Sequence, residues 1–226
     1  SHMTGGQGHP GLTVRAIINR GGGQGAQHSQ ALHAWFAHTP GLRVVMPTTV
    51  ADARDLLIAS VLCPDPVIYI DDRWLYGQED YLGPVVELSL VEQKPNVSQT
   101  GTDITIVSSG HTSLLARESV KALESLEISA EIIDIRVLNP FQVDDIVESV
   151  KKTKNLIVVD SGTLSGGFSG EIIAKVVERL PINVLENKPI RLALPDSPAP
   201  TSSILEKDYY LKTSDIVSAA QQILKN

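Results

Sequence analysis

The chain has 226 residues with 42% hydrophobic content, enough for one large or two modest domains with buried cores. Its formal net charge of −7, with no basic cluster, argues against a nucleic-acid partner or an acidic membrane surface. No apolar run approaches the ~20 residues of a membrane span, no signal peptide is evident, and the single Cys63 excludes an internal disulfide framework. A cytoplasmic protein without membrane contact is expected.

In chain order, Ser1 and His2 read as the remnant of a tag, and residues 1–11 as an irregular start. Thr13 to Asn19 is an apolar strand candidate. It runs into a glycine-rich loop, Gly21-Gly22-Gly23-Gln24-Gly25-Ala26, followed by Gln27, His28, Ser29 and Gln30. Glycines at such a turn admit positive φ and let the backbone approach a ligand closely. His28 therefore falls where an open α/β sheet usually places its chemistry, beyond the carboxyl end of a strand. An imidazole there can give or take a proton near neutrality, although a loop histidine satisfied by backbone groups is the simpler reading. The loop is a poor phosphate cradle. Ala26 stands where the dinucleotide fingerprint wants its third glycine, no acidic residue follows at the usual distance, and no Gly-Lys-Ser/Thr is present.

Leu32, Trp35 and Phe36 have helical spacing on one face. Arg43 to Met46 is a short strand, and Thr49 with Asp52 marks a helix start with Leu56, Leu57 and Val61 as its apolar side. Cys63, at the end of that helix before Pro64, reads as a packing residue. Val67 to Ile70 is a continuous apolar run, as in a strand buried on both faces. The unit spanning 12–78 is small against the ~100 or more residues of a typical open-sheet domain. An exposed sheet edge and exposed apolar surface are expected on it, unless a partner or a second copy covers them.

Residues 79–100 lack helical period and contain Gly83, Pro84 and Pro95, so they read as an inter-domain connection. From 101 to 226 three strands, Ile104 to Ser108, Glu131 to Ile135 and Leu156 to Asp160, alternate with amphipathic helices. The helices carry Leu115, Ala122 and Leu126; then Val143, Ile146, Val147 and Val150; then Phe168, Ile172, Val176 and Leu180. Ile190 to Leu194 is a fourth strand, Pro195 to Pro200 a rigid surface loop, and Ser214 a cap for a closing helix through Ile223. The fold class expected is α/β, with two open, mostly parallel sheets and right-handed crossovers.

Other site signals are weaker. The glycine-rich turn from Ser161 to Gly170 reads first as close packing and a helix start, and second as a phosphate site. Asp134 and Arg136 suggest a structural ion pair along a strand, and His111 a capping or interface residue. No metal site is expected: His28, His33 and His38 are five apart and cannot stack as an i, i+4 pair. A serine-hydrolase elbow is absent as well.

Three segments in unbroken order, Gly25 to Gln30, Ala37 to Pro47 and Pro66 to Gly77, resemble the beta subunit of the decarboxylating component of 2-oxo acid dehydrogenase complexes. The likeness continues through Ile133 to Arg136, Asn139-Pro140, Asn155 to Asp160, Gly166 to Phe168 and Pro195-Asp196, nearly the whole chain. It implies that 12–78 is a truncated transketolase-like pyrimidine-binding domain, 79–100 a linker, and 101–226 a transketolase C-terminal domain. It implies participation in oxidative decarboxylation of a 2-oxo acid with acyl transfer to lipoyl groups, with thiamine diphosphate and magnesium as cofactors of the assembled enzyme. It carries the family's active-site histidine onto His28, with Ser29 and Gln30 fixing the loop. The implied partners are an alpha subunit, a second beta subunit in a homodimer, and an acyltransferase core with its lipoyl domain.

Departures from the family pattern matter as much. The glutamate that activates the aminopyrimidine lies, in the family, ahead of the position matching Met3, and the diphosphate is held mainly by the alpha subunit. The chain alone is therefore expected to be inactive, and whether it binds cofactor by itself is left open. Pro64 interrupts the segment, Ser60 to Asp65, that matches a monovalent-cation loop, and Thr201 replaces an aromatic common after the second proline of the 195–203 stretch. Two alternatives stand beside this reading, a transketolase-like carbon transferase and a non-catalytic dimerisation or docking module.

Overall fold

The computed structural model describes residues 2–225; Ser1, read as a tag remnant, lies outside them. After a 3₁₀ turn at His2–Thr4, β1 (Thr13–Ile18), α1 (Gly25–His28), α2 (His33–His38), β2 (Arg43–Val45), α3 (Val50–Leu62) and β3 (Val67–Asp72) build the first unit. The second holds β4 (Asn96–Gln99), β5 (Ile104–Ser108), α4 (His111–Glu124), β6 (Ala130–Asp134), β7 (Val137–Asn139), α5 (Asp144–Thr153), β8 (Leu156–Thr163), α6 (Phe168–Arg179), β9 (Ile190–Leu194), α7 (Ser203–Tyr209) and α8 (Thr213–Leu224). The first sheet has the order β1-β3-β2-β7 and the second β4-β6-β5-β8-β9; only β7 and β4 run antiparallel to their neighbours. This is the α/β class expected, with two mostly parallel sheets.

The two units are joined more closely than a linker implies. β7 follows β6 in the chain yet pairs with β2, and Met46 N–H donates to the Arg136 carbonyl at 2.8 Å. One apolar core then runs through both units, from Ile18, Val44, Met46 and Ile70 to Ile133, Leu138, Ile146 and Phe168. A unit too small to bury its own sheet gains its core this way. A second cluster lies under α4 and α8, and a third under α3, where Leu88 and Leu90 of the connecting segment pack. Residues 79–100 are thus not wholly connection: Asn96–Gln99 forms β4, an edge strand antiparallel to β6.

Several faces differ from the periodic reading. In α3 the inward positions are Asp52, Asp55, Leu56, Ala59 and Ser60, while Leu57 and Val61 face outward. The polar inward residues are satisfied: Asp52 pairs with Arg136 at 3.0 Å, Asp55 with Arg54 at 2.7 Å, and Ser60 Oγ donates to the Leu56 carbonyl. In α4 the buried row is Thr112, Ala116, Ser119 and Leu123, whose small hydroxylated members bond to nearby carbonyls; Ala122 and Leu126 are exposed. Trp35 is exposed and stacks on Phe36 rather than entering the core. Ser214 is not the cap of the last helix. Lys212 holds that position, and its N–H donates to Asp215 Oδ2 at 2.8 Å. The Asp134–Arg136 pair is also corrected, because Arg136 has left the strand with φ 60° and reaches Asp52 and the Lys94 carbonyl.

Candidate active site at the glycine loop

β1 ends at Ile18, and the chain then turns through Gly21, Gly22 and Gly23, all with φ between 68° and 78°. L-residues with side chains rarely take that conformation, which is why glycines stand there. Space demands them too: a Cβ on Gly23 would lie 2.6 Å from the Thr201 carbonyl oxygen, and one on Gly25 2.6 Å from Thr201 Cγ2. Thr201 belongs to the proline-rich segment of the second unit, so the loop is a contact between units.

His28 is the last residue of α1 and is exposed. Its position is set from the backbone: Asn19 N–H donates to the His28 carbonyl at 3.0 Å, and the buried Ser29 Oγ donates to the Asn19 carbonyl at 2.8 Å. Ser29 therefore fixes the loop, as the resemblance implied. The imidazole borders a cavity of about 570 Å³ walled by Ile18, Ile70, Leu32, Phe36 and Tyr76. Arg73 also lines it, its Nη1 donating to Asn19 Oδ1 at 2.9 Å, and no carboxylate does. Asn19, Arg73 and Tyr76 were not singled out in the sequence as site residues; their positions beyond the ends of β1 and β3, and for Arg73 and Tyr76 the Pro66 to Gly77 segment, could have pointed to them.

Beneath the loop lies a buried cluster that sequence reasoning also missed. Arg20 Nε donates to Asp72 Oδ2 at 2.6 Å with both side chains nearly inaccessible. The Arg20 guanidinium sits 5.5 Å from the Tyr210 ring centre, and Trp74 packs edge-on between Tyr210 and His111. His111 is thus an interface residue, and burial lowers its pKa, against the pull of Asp72. Gly23 N–H donates to Glu206 Oε2 of α7 at 3.0 Å.

The glycine turn after β8 has its own internal anion. Asp160 accepts from the Gly162 and Ser169 amides at 2.9 and 2.7 Å and from His33 Nε2 at 2.8 Å. Burial by itself raises the Asp160 pKa, but the His33 contact and the two amides outweigh it and hold the group at about 2. A carboxylate of the chain occupies the place a phosphate would take. Asp134 shows the opposite balance: burial pushes it up to about 7 despite Thr48, Ser113 and Arg136, with Asp52 adding to the rise. Among the described residues no group of three His, Cys, Asp or Glu side chains is placed to hold a metal, and no helix is long and apolar enough to cross a membrane.

Residues 1–78 match the transketolase pyrimidine-binding domain and residues 93–216 the transketolase C-terminal domain. The chain belongs to this transketolase-type family. It is homologous along nearly its full length to beta subunits of 2-oxo acid dehydrogenases. It is 34% identical over 222 residues to the pyruvate dehydrogenase E1 component subunit beta of Rhizobium meliloti, covering 98% of this chain and 48% of that protein. It is 34% identical over 224 residues to the acetoin:2,6-dichlorophenolindophenol oxidoreductase subunit beta of Cupriavidus necator, covering 99% and 66%. With the 2-oxoisovalerate dehydrogenase subunit beta of Dictyostelium discoideum the identity is 36% over 199 residues, covering 88% and 53%. A solved structure titled split gene transketolase, inactive beta4 tetramer, superposes with a TM-score of 0.76 at 25% identity, covering 94% of this chain and 66% of that one. The chain thus spans roughly half to two thirds of the length of these relatives.

Proposed function

We propose that this chain supplies part of the active site of a thiamine diphosphate-dependent 2-oxo acid dehydrogenase, as the beta-type component of an assembled enzyme, with His28 as its catalytic group. The observation that carries the proposal is the placement of His28 on an open cavity at the carboxyl end of β1 and β3, beside the interface between units.

Tested against the whole cofactor, the residues present do not fit. The apolar and aromatic wall formed by Ile18, Ile70, Phe36 and Tyr76 suits a flat heteroaromatic ring. Among the described residues, the same wall offers no carboxylate for a ring nitrogen. The chain's own contribution is narrower. His28 exchanges a proton with the reacting group, for which an imidazole is suited near neutral pH. Arg73, the one permanent cation on the cavity wall, receives the carboxylate of the 2-oxo acid. The β1 edge, with Val14 and Ile17 exposed, accepts the strand or partner surface that completes the site. An alpha-type subunit, a second beta-type chain and a lipoyl-bearing acyltransferase are the partners this role requires.

The test is decarboxylation of 2-oxo acids by the chain assembled with its alpha-type partner. The expected result is activity that falls by ~10²–10⁴ in the His28→Ala variant and is absent from the chain alone. Turnover of ketose phosphates in place of 2-oxo acids would move the assignment to a carbon transferase. Activity unchanged in His28→Ala would leave the chain a docking module.

A further inference from the structure

The loop bearing His28 combines several left-handed glycines with few side-chain ties: Gln24 Oε1 accepts from Asn19 Nδ2 at 3.1 Å within the loop, and one tie comes from the second unit. Among the described residues, Gly23 is the one position between 21 and 26 whose amide a side chain holds, and that side chain is Glu206. Glu206 is 7% exposed and stands on α7, in the second unit. Its other oxygen, Oε1, is buried without a partner, as is Arg20 Nη2 nearby. A buried carboxyl group with an unmatched oxygen is costly.

We propose that Glu206 is a positioning residue: by holding the crest of the glycine loop from the second unit, it sets where His28 stands. Only Gln24 separates the Gly23 crest from α1, at whose far end His28 stands, while the Asn19–His28 and Ser29–Asn19 bonds close the base of the loop. With base and crest both held, the glycines have no freedom left, and α1 follows wherever α7 places the crest. Thr201 forms the wall against which the loop rests. The inference rests on the reading of His28 as catalytic only for its consequence in turnover; the latch itself is a property of the chain.

The experiment is amide hydrogen exchange across 19–29 in wild type, Glu206→Ala and Glu206→Gln, with β5 and β8 as internal controls. Glu206→Ala is expected to speed exchange in the loop by about tenfold or more while β5 and β8 keep their protection. Glu206→Gln, whose amide oxygen can accept the same Gly23 N–H, is expected to restore protection. Gly23→Ala, which pushes the loop off Thr201 without touching α7, serves if the Glu206→Ala chain does not fold, and is expected to speed exchange likewise. In the assembled enzyme Glu206→Ala is expected to lower kcat with little change in KM, and Glu206→Gln to recover it. Loop exchange unchanged in Glu206→Ala, faster exchange spreading equally through β5 and β8, or failure of Glu206→Gln to restore protection would each overturn the proposal. If His28→Ala leaves the assembled enzyme's activity unchanged while the exchange results hold, the functional reading fails and the latch stands.

Discussion

The two sheets of this molecule are finished to different degrees. In the second, β5 and β6 are buried along their whole length, with α4 and α8 over one face and α5 and α6 over the other. In the first, β1 is an edge strand with Val14 and Ile17 exposed, and α3 turns Leu57, Val61 and Leu62 outward. The candidate chemistry lies on the open sheet, and that sheet is tied to the second unit through β7, Asp160 and Glu206. A site that must meet partners needs access, and access leaves apolar surface uncovered; attachment to a sealed neighbour compensates.

The largest way to break that attachment is His33→Ala. It leaves Asp160 buried without its imidazole, and a loss of ~3–5 kcal/mol in urea unfolding is expected. Next comes a paired test on α3. Leu56→Ala is expected to cost ~2–5 kcal/mol, since Leu56 is fully buried. Leu57→Ala on the outward face should stay within ~0.5 kcal/mol. Equal effects at the two positions would contradict the assigned face.

Asp134 and Asp160 sharpen the comparison through pH. Asp134, raised to about 7 from an unfolded value of 3.8, favours the folded state while protonated. Its contribution is complete below pH 3.8 and is lost as pH rises through 7. Asp134→Asn is therefore expected to flatten a decline on the order of 3 kcal/mol between pH 4 and 7. Asp160, held at about 2, has the opposite sign: its contribution is complete above pH 3.8 and is lost as pH falls towards 2. A smaller effect is expected at the cap of α8, where Asp215→Ala should cost about 1 kcal/mol, measured by thermal unfolding.

Much of the fold was legible because its central strands are unbroken apolar runs. Val67 to Ile70 and Leu156 to Asp160 could hardly be read otherwise, and α5 and α6 carried their buried faces openly. The faces of α3 and α4 were not legible, because their inward rows mix Asp, Ser and Thr with Leu and Ala, and the Arg136 partner of Asp52 and the Val159 carbonyl that accepts from Thr112 lie far away in sequence. β7 was hidden for a related reason: three residues pair with a strand of the other unit, and no local period announces that. For the site, the glycine loop pointed to His28, whereas Arg20, Glu206 and Tyr210 carry no motif and meet Asp72 only in three dimensions.

The most direct test of a site supplied only in part by this chain is calorimetric titration of the purified chain with thiamine diphosphate and magnesium. No saturable heat is expected, since among the described residues the cavity beside His28 lacks a carboxylate to engage the cofactor ring. Saturable binding at one cofactor per chain would contradict this and show that the chain, alone or as a pair, carries a complete cofactor site.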